Sequence, residues 1–358
     1  MKKIIILLAA LLFLVSCQGQ GGFSDQFSGT NGVIFEFSTN SPPRTIFEGS
    51  PVFVSLDLWN QGAYDITEDS VIQLSYDPLH FQKDDGSSSG IIFQEFQIRG
   101  RGNVFPNGER RFVGITNLNS NSIEGQFSDR RTTMTATLCY PYKTYFSDTF
   151  CIDADFFAQE QNPVCRSGRP STYSGQGAPV AVTRVESQMI PIGTIKQEDI
   201  ANNPLLGPDG ELIDLGLVNE PVRAEDGTII DVQEVPSDIE LIQIQPSFEI
   251  TIKNVGRGDV FYSDSQTVTN ACRSAAQRQF NRLKISAFLA SQELECITNT
   301  ADENIIRLEE RGEVTISCRL PFEDIIPMIF SYEDVLNIEL EYFYTNSKSL
   351  DLTIKRAS

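Results

Sequence analysis

The stretch PVFVSLDLWNQG, residues 51–62, decides the fold class of this chain. Apolar residues occupy every second position from Val52 to Leu58, and this period of two is typical of a strand that buries one face. Asn60 and Gly62 follow, and both residue types tolerate the backbone conformations of tight turns. The stretch therefore predicts a strand that leaves its sheet through a defined turn.

A second copy of this pattern lies at residues 246–260, PSFEITIKNVGRGDV. It is again an alternating strand that ends in Asn-x-Gly, here at Asn254 and Gly256. In both copies an Asp and a β-branched residue come next. The repeat predicts two related units in one chain.

Alternating segments recur along the rest of the chain, at residues 32–37, 132–138, 314–318 and 350–354. β-Branched and aromatic residues are frequent in them, which favours strands. One stretch, Ala271–Leu283, is helix-like. Many short strands with few helices indicate an all-β protein built from antiparallel sandwiches.

We predict two Ig-like β-sandwich domains, at residues 28–155 and 178–358, joined by a linker at 156–177 that contains Pro and Gly. The second sandwich carries an insertion at residues 196–240 with twelve acidic and two basic side chains. Its two Asp-Gly dipeptides favour short hairpins. The insertion is therefore expected to be a peripheral acidic arm.

The composition narrows the classes of function. The chain has 358 residues, of which 40% are hydrophobic, enough to form a core. Its formal net charge of −20 argues against nucleic acid as a partner. The only histidine, His80, argues against a zinc site with several His ligands.

The N-terminus has the features of an export signal. Two lysines precede an apolar run, Ile4–Val15, which as a helix would be about 18 Å long and too short for a bilayer. Its end, Leu14–Cys17, resembles the lipobox of prokaryotic lipoproteins. The resemblance implies that residues 1–16 are removed and that Cys17 carries lipid, with 17–27 as a tether at the extracytoplasmic face of the cell membrane. The alternative is an ordinary signal peptide in which Cys17 has no role.

Six cysteines follow Cys17, an even number that in an exported protein implies disulfides. They are Cys139, Cys151, Cys165, Cys272, Cys296 and Cys318. Six cysteines allow 15 connectivities, so the pairing stays open. The short spans favour Cys139 with Cys151 and Cys296 with Cys318, which leaves Cys165 with Cys272. Free thiols in a reducing compartment are the alternative.

The repeated strand with its Asn-x-Gly turn, at Asn60–Gly62 and Asn254–Gly256, resembles the cell-adhesion-related Ig-like modules of archaeal and bacterial surface proteins. The acidic charge and the cysteines fit an archaeal surface lipoprotein. The resemblance implies a structural or adhesive role, with other cell-envelope components as partners. It brings no catalytic motif, so no catalysis is expected.

Two alternatives to this function stay open. A carbohydrate-active enzyme would need two carboxylates facing a cleft, which a sequence rich in acids does not exclude. A calcium-dependent adhesin would need oxygen ligands from loops. The calcium candidates are Asp153 with Asp155, Asp209 with Asp214, and Asp226 with Asp231. Surface charge also explains these acids, and we expect no other cofactor.

Three further features have a structural and a functional interpretation. The loop Gly86–Gly90 matches the Gly-x-Ser-x-Gly pattern of hydrolases, but a strand follows it and His80 precedes the serine. Arginines cluster within Arg99–Arg131 and Arg273–Arg282, either to bind an anionic polymer or to protect strand edges. Trp59 alternates with inward residues, so it points outward and either forms a contact site or is covered by a loop.

Overall fold

The computed structural model describes residues 27–83, 86–87, 89–153, 164–196, 221–223, 229–232, 240–264, 268–274, 279–322 and 331–357. The protein is all-β, as predicted, and its sheets are antiparallel apart from one short parallel pair. The strands are β1 (Val33–Phe37), β2 (Thr45–Phe47), β3 (Pro51–Asn60), β4 (Ile66–Ser75), β5 (Phe81–Lys83), β6 (Ile91–Ile98), β7 (Arg110–Ser120), β8 (Asp129–Ile152), β9 (Ser171–Thr172), β10 (Val180–Lys196), β11 (Pro221–Arg223), β12 (Ile229–Val232), β13 (Glu240–Asn254), β14 (Asp259–Phe261), β15 (Arg282–Leu289), β16 (Gln292–Glu293), β17 (Glu295–Ile297), β18 (Ile305–Arg307), β19 (Glu313–Arg319) and β20 (Tyr332–Lys355). Helix α1 (Val268–Ser274) lies between β14 and β15.

The centre of the molecule is a nine-stranded sheet, called the long sheet here. Its two middle strands, β8 and β20, pair antiparallel over their whole length, from Asp129 opposite Lys355 to Ile152 opposite Tyr332. Each has 24 residues and is therefore about 80 Å long. Strands β4 and β6 extend the sheet beyond β8, and β15 and β16 extend it beyond β20.

Two small sheets pack side by side on one face of the long sheet. The first has the order β1-β3-β7-β5 and the second the order β17-β19-β13-β10-β9. The Tyr140 hydroxyl of β8 contacts Val33 of the first, and Phe150 of β8 contacts Phe248 of the second with ring centroids 5.7 Å apart. Each small sheet and the strands beneath it are called the first and the second lobe. Their buried side chains form one connected core.

The long sheet joins the two segments predicted as separate sandwiches. Strand β9 of the second small sheet lies within the predicted linker at 156–177, and β8 and β20 each run beneath both small sheets. An alternating pattern continues unchanged along a strand, whichever sheet covers it. The sequence of β8 therefore gives no sign that it passes from one lobe to the other.

All six cysteines of the body form disulfides: Cys139–Cys272, Cys151–Cys165 and Cys296–Cys318. The expected pair Cys296–Cys318 is confirmed, and the other two expected pairs are wrong. Cys139 and Cys151 lie on the single strand β8, about 40 Å apart, whereas a disulfide needs its Cα atoms within about 7 Å.

The acidic insertion is the connection of a hairpin. Strands β10 and β13 pair as far as Lys196 opposite Glu240, the two ends of the predicted insertion. Within it β11 and β12 pair as a two-stranded antiparallel ribbon, and residues 197–220, 224–228 and 233–239 lie outside the described ones. The helix predicted at Ala271–Leu283 is shorter, because Arg282–Leu289 is a strand whose alternate side chains are buried.

Candidate functional site

The two Asn-x-Gly turns have the same hydrogen bonds. Asn60 donates from its side chain to the Tyr64 carbonyl at 2.9 Å and accepts from Gly62 N–H at 3.0 Å. Asn254 donates to the Gly258 carbonyl at 2.9 Å and accepts from Gly256 N–H at 3.2 Å. The sequence repeat is therefore a structural repeat that relates the two lobes.

Four tyrosines beneath the turns attach the small sheets to the long sheet. Val33 N–H donates to the Tyr140 hydroxyl at 3.1 Å, and Val180 N–H donates to the Tyr342 hydroxyl at 3.2 Å. Tyr142 donates to the Gly177 carbonyl at 2.8 Å, and the Tyr344 hydroxyl accepts from the second turn. Burial raises the pKa of all four phenols. These residues fix the position of β1 and β10 and of the turn that follows β13.

The glycine of each turn lies directly against a tyrosine. A Cβ at Gly62 would lie 1.7 Å from the Tyr142 hydroxyl, and a Cβ at Gly256 would lie 2.2 Å from the Tyr344 hydroxyl. Only glycine permits these approaches. The turns that end β3 and β13 are thus anchored at equivalent points of the long sheet.

The outer face of the first small sheet carries aromatic side chains. Two cross-strand rows lie on it, Ile34–Trp59–Arg110 and Glu36–Asp57–Phe112. The side chain of Phe112 is 59% exposed, and that of its neighbour Phe53 is 45% exposed. Apolar rings on a face that does not contribute to the core indicate a contact surface.

Trp59 is held in a defined orientation on this face. Its Nε1–H donates to the Asn107 carbonyl at 2.7 Å, and the Arg110 guanidinium lies over its ring, 3.9 Å from the centroid. A loop and an arginine therefore cover part of the indole. Trp59 is thus partly covered, as one interpretation predicted, and partly available as a contact site, as the other predicted. The remaining part lines a cleft.

This cleft has a volume of about 500 Å³ and is called the aromatic cleft here. Its lining includes Ile34, Glu36, Asp57, Trp59, Arg110 and Phe112. Glu36 forms an exposed ion pair at 3.1 Å with Lys348, which reaches over from β20. The cleft thus offers aromatic surface next to carboxylate acceptors.

The second small sheet has polar residues at the equivalent positions. The rows there are Ala181–Lys253–Glu313 and Arg184–Thr251–Thr315. Lys253 and Glu313 form an ion pair at 2.9 Å where Trp59 and Arg110 stack. The hydroxyls of Thr251 and Thr315 are 3.0 Å apart where Asp57 lies opposite Phe112. The aromatic surface is therefore specific to the first lobe.

Several predicted basic residues have structural partners. Arg111 donates to the Gln97 carbonyl on β6 at 2.7 Å, and Arg101 donates to Ser28. Arg273 lies over the Phe93 ring at 4.3 Å, and Arg282 pairs with Asp302 at 2.9 Å. These contacts favour the structural interpretation of the arginine clusters. Capping of the β6 edge by Arg111 is the protection that exposed strands need.

The remaining predicted sites fall on few described residues. Cys17, Asp155, Asp209, Asp214 and Asp226 lie outside the described residues. Asp153 accepts a hydrogen bond from Ser331 at 2.7 Å, and Asp231 lies on β12. Among the described residues, no group of three or more His, Cys, Asp or Glu side chains could hold a metal ion.

The Gly86–Gly90 loop lies between β5 and β6, strands of different sheets. A hydrolase nucleophile requires a turn from a strand into a helix, which this loop does not provide. His80 is bound to Asp77 at 2.8 Å. In the described part of the chain, no helix is long and apolar enough to cross a membrane.

Sequence reasoning missed Phe112 and the four tyrosines. The doublets Tyr140–Tyr142 and Tyr342–Tyr344 each have a tyrosine at alternate positions. This second repeat, read beside Asn-x-Gly, was the available signal for a duplicated scaffold. Phe112 had no comparable signal, because only the pairing of β3 with β7 brings it to the face that carries Trp59.

No protein-family model matches the chain, and no curated protein matches it.

Proposed function

We propose that this protein is a lipid-anchored cell-surface protein with a binding role, and that the aromatic cleft of the first lobe is its binding site. The observation that carries the proposal is the difference between the outer faces of two equivalent small sheets. The second lobe has the same scaffold with Thr251 and Thr315 at the positions that Asp57 and Phe112 occupy in the first. The fold of the first lobe therefore does not require the ring of Phe112. Exposed aromatic side chains beyond the needs of the fold support a contact with a partner.

The placement at the membrane rests on the Leu14–Cys17 lipobox and on the three disulfides, which suit an oxidising compartment. Replacement of Cys17 by Ser should release the protein from the membrane or leave its precursor unprocessed. Fractionation of cells that express the variant measures this. Mature protein that stays membrane-bound at the native level would contradict lipid anchoring.

The binding role is tested with tagged full-length protein extracted from membranes in detergent. The native protein should retain components of its own cell envelope, and Phe112→Ala should retain much less of them. Thr315→Ala is the matched control, because it truncates the equivalent residue of the second lobe. Equal retention by native protein and Phe112→Ala would show that the aromatic cleft is not the binding site.

A further inference from the structure

We infer that the aromatic cleft binds a neutral oligosaccharide of the cell envelope; this inference rests on the proposed function and names its ligand class. A sugar ring has apolar C–H faces that pack on aromatic rings and hydroxyls that bond to charged side chains. The cleft places Trp59 and Phe112 beside Asp57 and Glu36. Both kinds of contact are therefore available on one face of the sheet.

The dimensions favour a small ligand over a folded protein. A cleft of about 500 Å³ lies within the roughly 300–1,000 Å³ of small-molecule sites. A stable protein interface needs about 800 Å² from each partner. Phe53 and Phe112 are only 45% and 59% exposed, and Trp59 is half-buried, so the rings alone supply much less apolar surface.

The charges favour a neutral ligand. Glu36 is paired with Lys348, and the Arg110 guanidinium lies over Trp59. The third cationic group of the lining, Arg111, donates to a carbonyl of β6. These cations are thus engaged, whereas an anionic polymer would have to approach a chain with a formal net charge of −20.

The carboxylates lie where they can accept hydrogen bonds from the hydroxyls of a sugar packed on the rings. Asp57 lies directly opposite Phe112 and next to Glu36 in the same row. An ionised carboxylate only accepts hydrogen bonds, and a sugar hydroxyl can donate one. Asp57 would then fix the orientation of a sugar packed on Phe112. In the second lobe the two threonines at these positions bond to each other.

Trp59 is the only tryptophan of the chain, so its fluorescence reports on this cleft alone. Full-length protein is titrated with chitohexaose, mannohexaose, cellohexaose and maltohexaose, and with alginate as the anionic polymer. At least one neutral oligosaccharide should change the emission of Trp59 in a saturable way. Phe112→Ala and Asp57→Asn should each weaken that binding at least tenfold.

The control variant is Phe127→Ala, which removes an equally exposed phenylalanine, 63% exposed, outside the cleft. It should bind as the native protein does. The ligand class is overturned if none of the neutral oligosaccharides binds, if alginate alone binds, or if Phe112→Ala binds with native affinity.

A second measurement separates this inference from the proposed function. Envelope fragments are digested with proteinase K, which degrades protein and leaves saccharides intact, and are offered to native protein and to Phe112→Ala. Retention that depends on Phe112 should survive the digestion. If it is lost, the partner is a protein, so the binding role stands and the saccharide is wrong. If retention never depends on Phe112, both are wrong.

Discussion

The two lobes share a scaffold and differ on their outer faces. Each has an Asn-x-Gly turn with the same two hydrogen bonds, and each turn is bonded to one tyrosine of the long sheet, Tyr142 in the first lobe and Tyr344 in the second. At the same register positions the first lobe carries Trp59 and Phe112, and the second carries Lys253 and Thr315. The comparison separates the residues that build the fold from those free to serve a partner. Each lobe is also an internal control for the other.

The largest expected loss of stability comes from removing the Cys139–Cys272 disulfide, which involves a helix found in only one of the two lobes. Helix α1 interrupts the second lobe between β14 and β15, whereas β4 is continuous in the first, and Cys139–Cys272 joins α1 to β8. That bond spans 133 residues, so its loss should cost about 5 kcal/mol in the loop-entropy model. The control pair Cys151–Cys165 spans 14 residues and should cost about 3 kcal/mol.

Denaturant unfolding of the two double alanine variants measures this difference. Equal losses of stability would contradict the difference expected from the two loop lengths.

The turn glycines come next. Gly62→Ala should destabilise the protein by about 3 kcal/mol or more, because its Cβ would overlap the Tyr142 hydroxyl and lies 2.8 Å from the Gly177 carbonyl oxygen. Gly256→Ala should be less harmful, because its nearest atoms belong to the side chains of Tyr344 and Pro179. Thermal melts of both variants test the order. If Gly256→Ala is the worse variant, the second turn is the more rigid one.

The turn asparagines should follow the same order with smaller effects. Asn60 is fully buried, and Asn60→Ala leaves the Tyr64 carbonyl and the Gly62 N–H without their partner, at a cost of about 2 kcal/mol. Asn254 is half-buried, so water can replace part of its bonds, and Asn254→Ala should cost about 1 kcal/mol. Urea unfolding of the pair provides the measurement. Indistinguishable midpoints would contradict the difference in burial.

The tyrosines predict the alkaline limit of stability. Their folded-state pKa values are raised above 10.0 by burial, so the unfolded chain loses its phenol protons first. The contribution of these phenols to the free energy of unfolding is therefore fully present below pH 10. It falls as the pH rises above 10, by up to about 1.4 kcal/mol per pH unit for each tyrosine. Tyr140→Phe and Tyr342→Phe should each make this fall less steep by that amount. Unfolding curves between pH 9 and 12 test it, and unchanged slopes would mean that the phenols ionise in the folded state.

The smallest effect is expected from the connection between β10 and β13. In the first lobe the equivalent strands β1 and β3 are joined by residues 38–50 alone. Replacing residues 197–239 by Asn-Gly should therefore leave the fold intact and change stability by about 1 kcal/mol or less. Circular dichroism and thermal melting of the deletion variant test this. Loss of the cooperative transition would make the segment part of a core.

Much of the fold could be predicted from local patterns. The alternation at Val52–Leu58 defines β3, and the repeat at 246–260 gives its counterpart β13 together with the turn. The cysteine pairing could not be obtained in the same way. Cys139 and Cys151 are close in sequence and far apart in space, because the strand that carries both is extended.

The candidate site also has one part that follows from local sequence and one part that depends on the pairing of strands. That Trp59 points outward follows from the alternation of its own strand, since neighbouring side chains take opposite faces. That Phe112 lies on the same face, beside Asp57, depends on the register of β3 with β7, and that register includes a bulge between Val54 and Ser55. A bulge moves the following side chains to the other face and has no local signature here.

The sequence by itself determined the strands, the duplicated turn, the number of bridged cysteines and the outward position of Trp59. Each of these depends on a residue and its neighbours within a few positions, where the backbone geometry is fixed. Only the tertiary structure decided that β8 and β20 form one sheet under both lobes, that Cys139 bonds Cys272, and that one outer face is aromatic. These are pairings between distant segments, chosen by the burial of a shared core and by hydrogen-bond registers that only the folded chain defines.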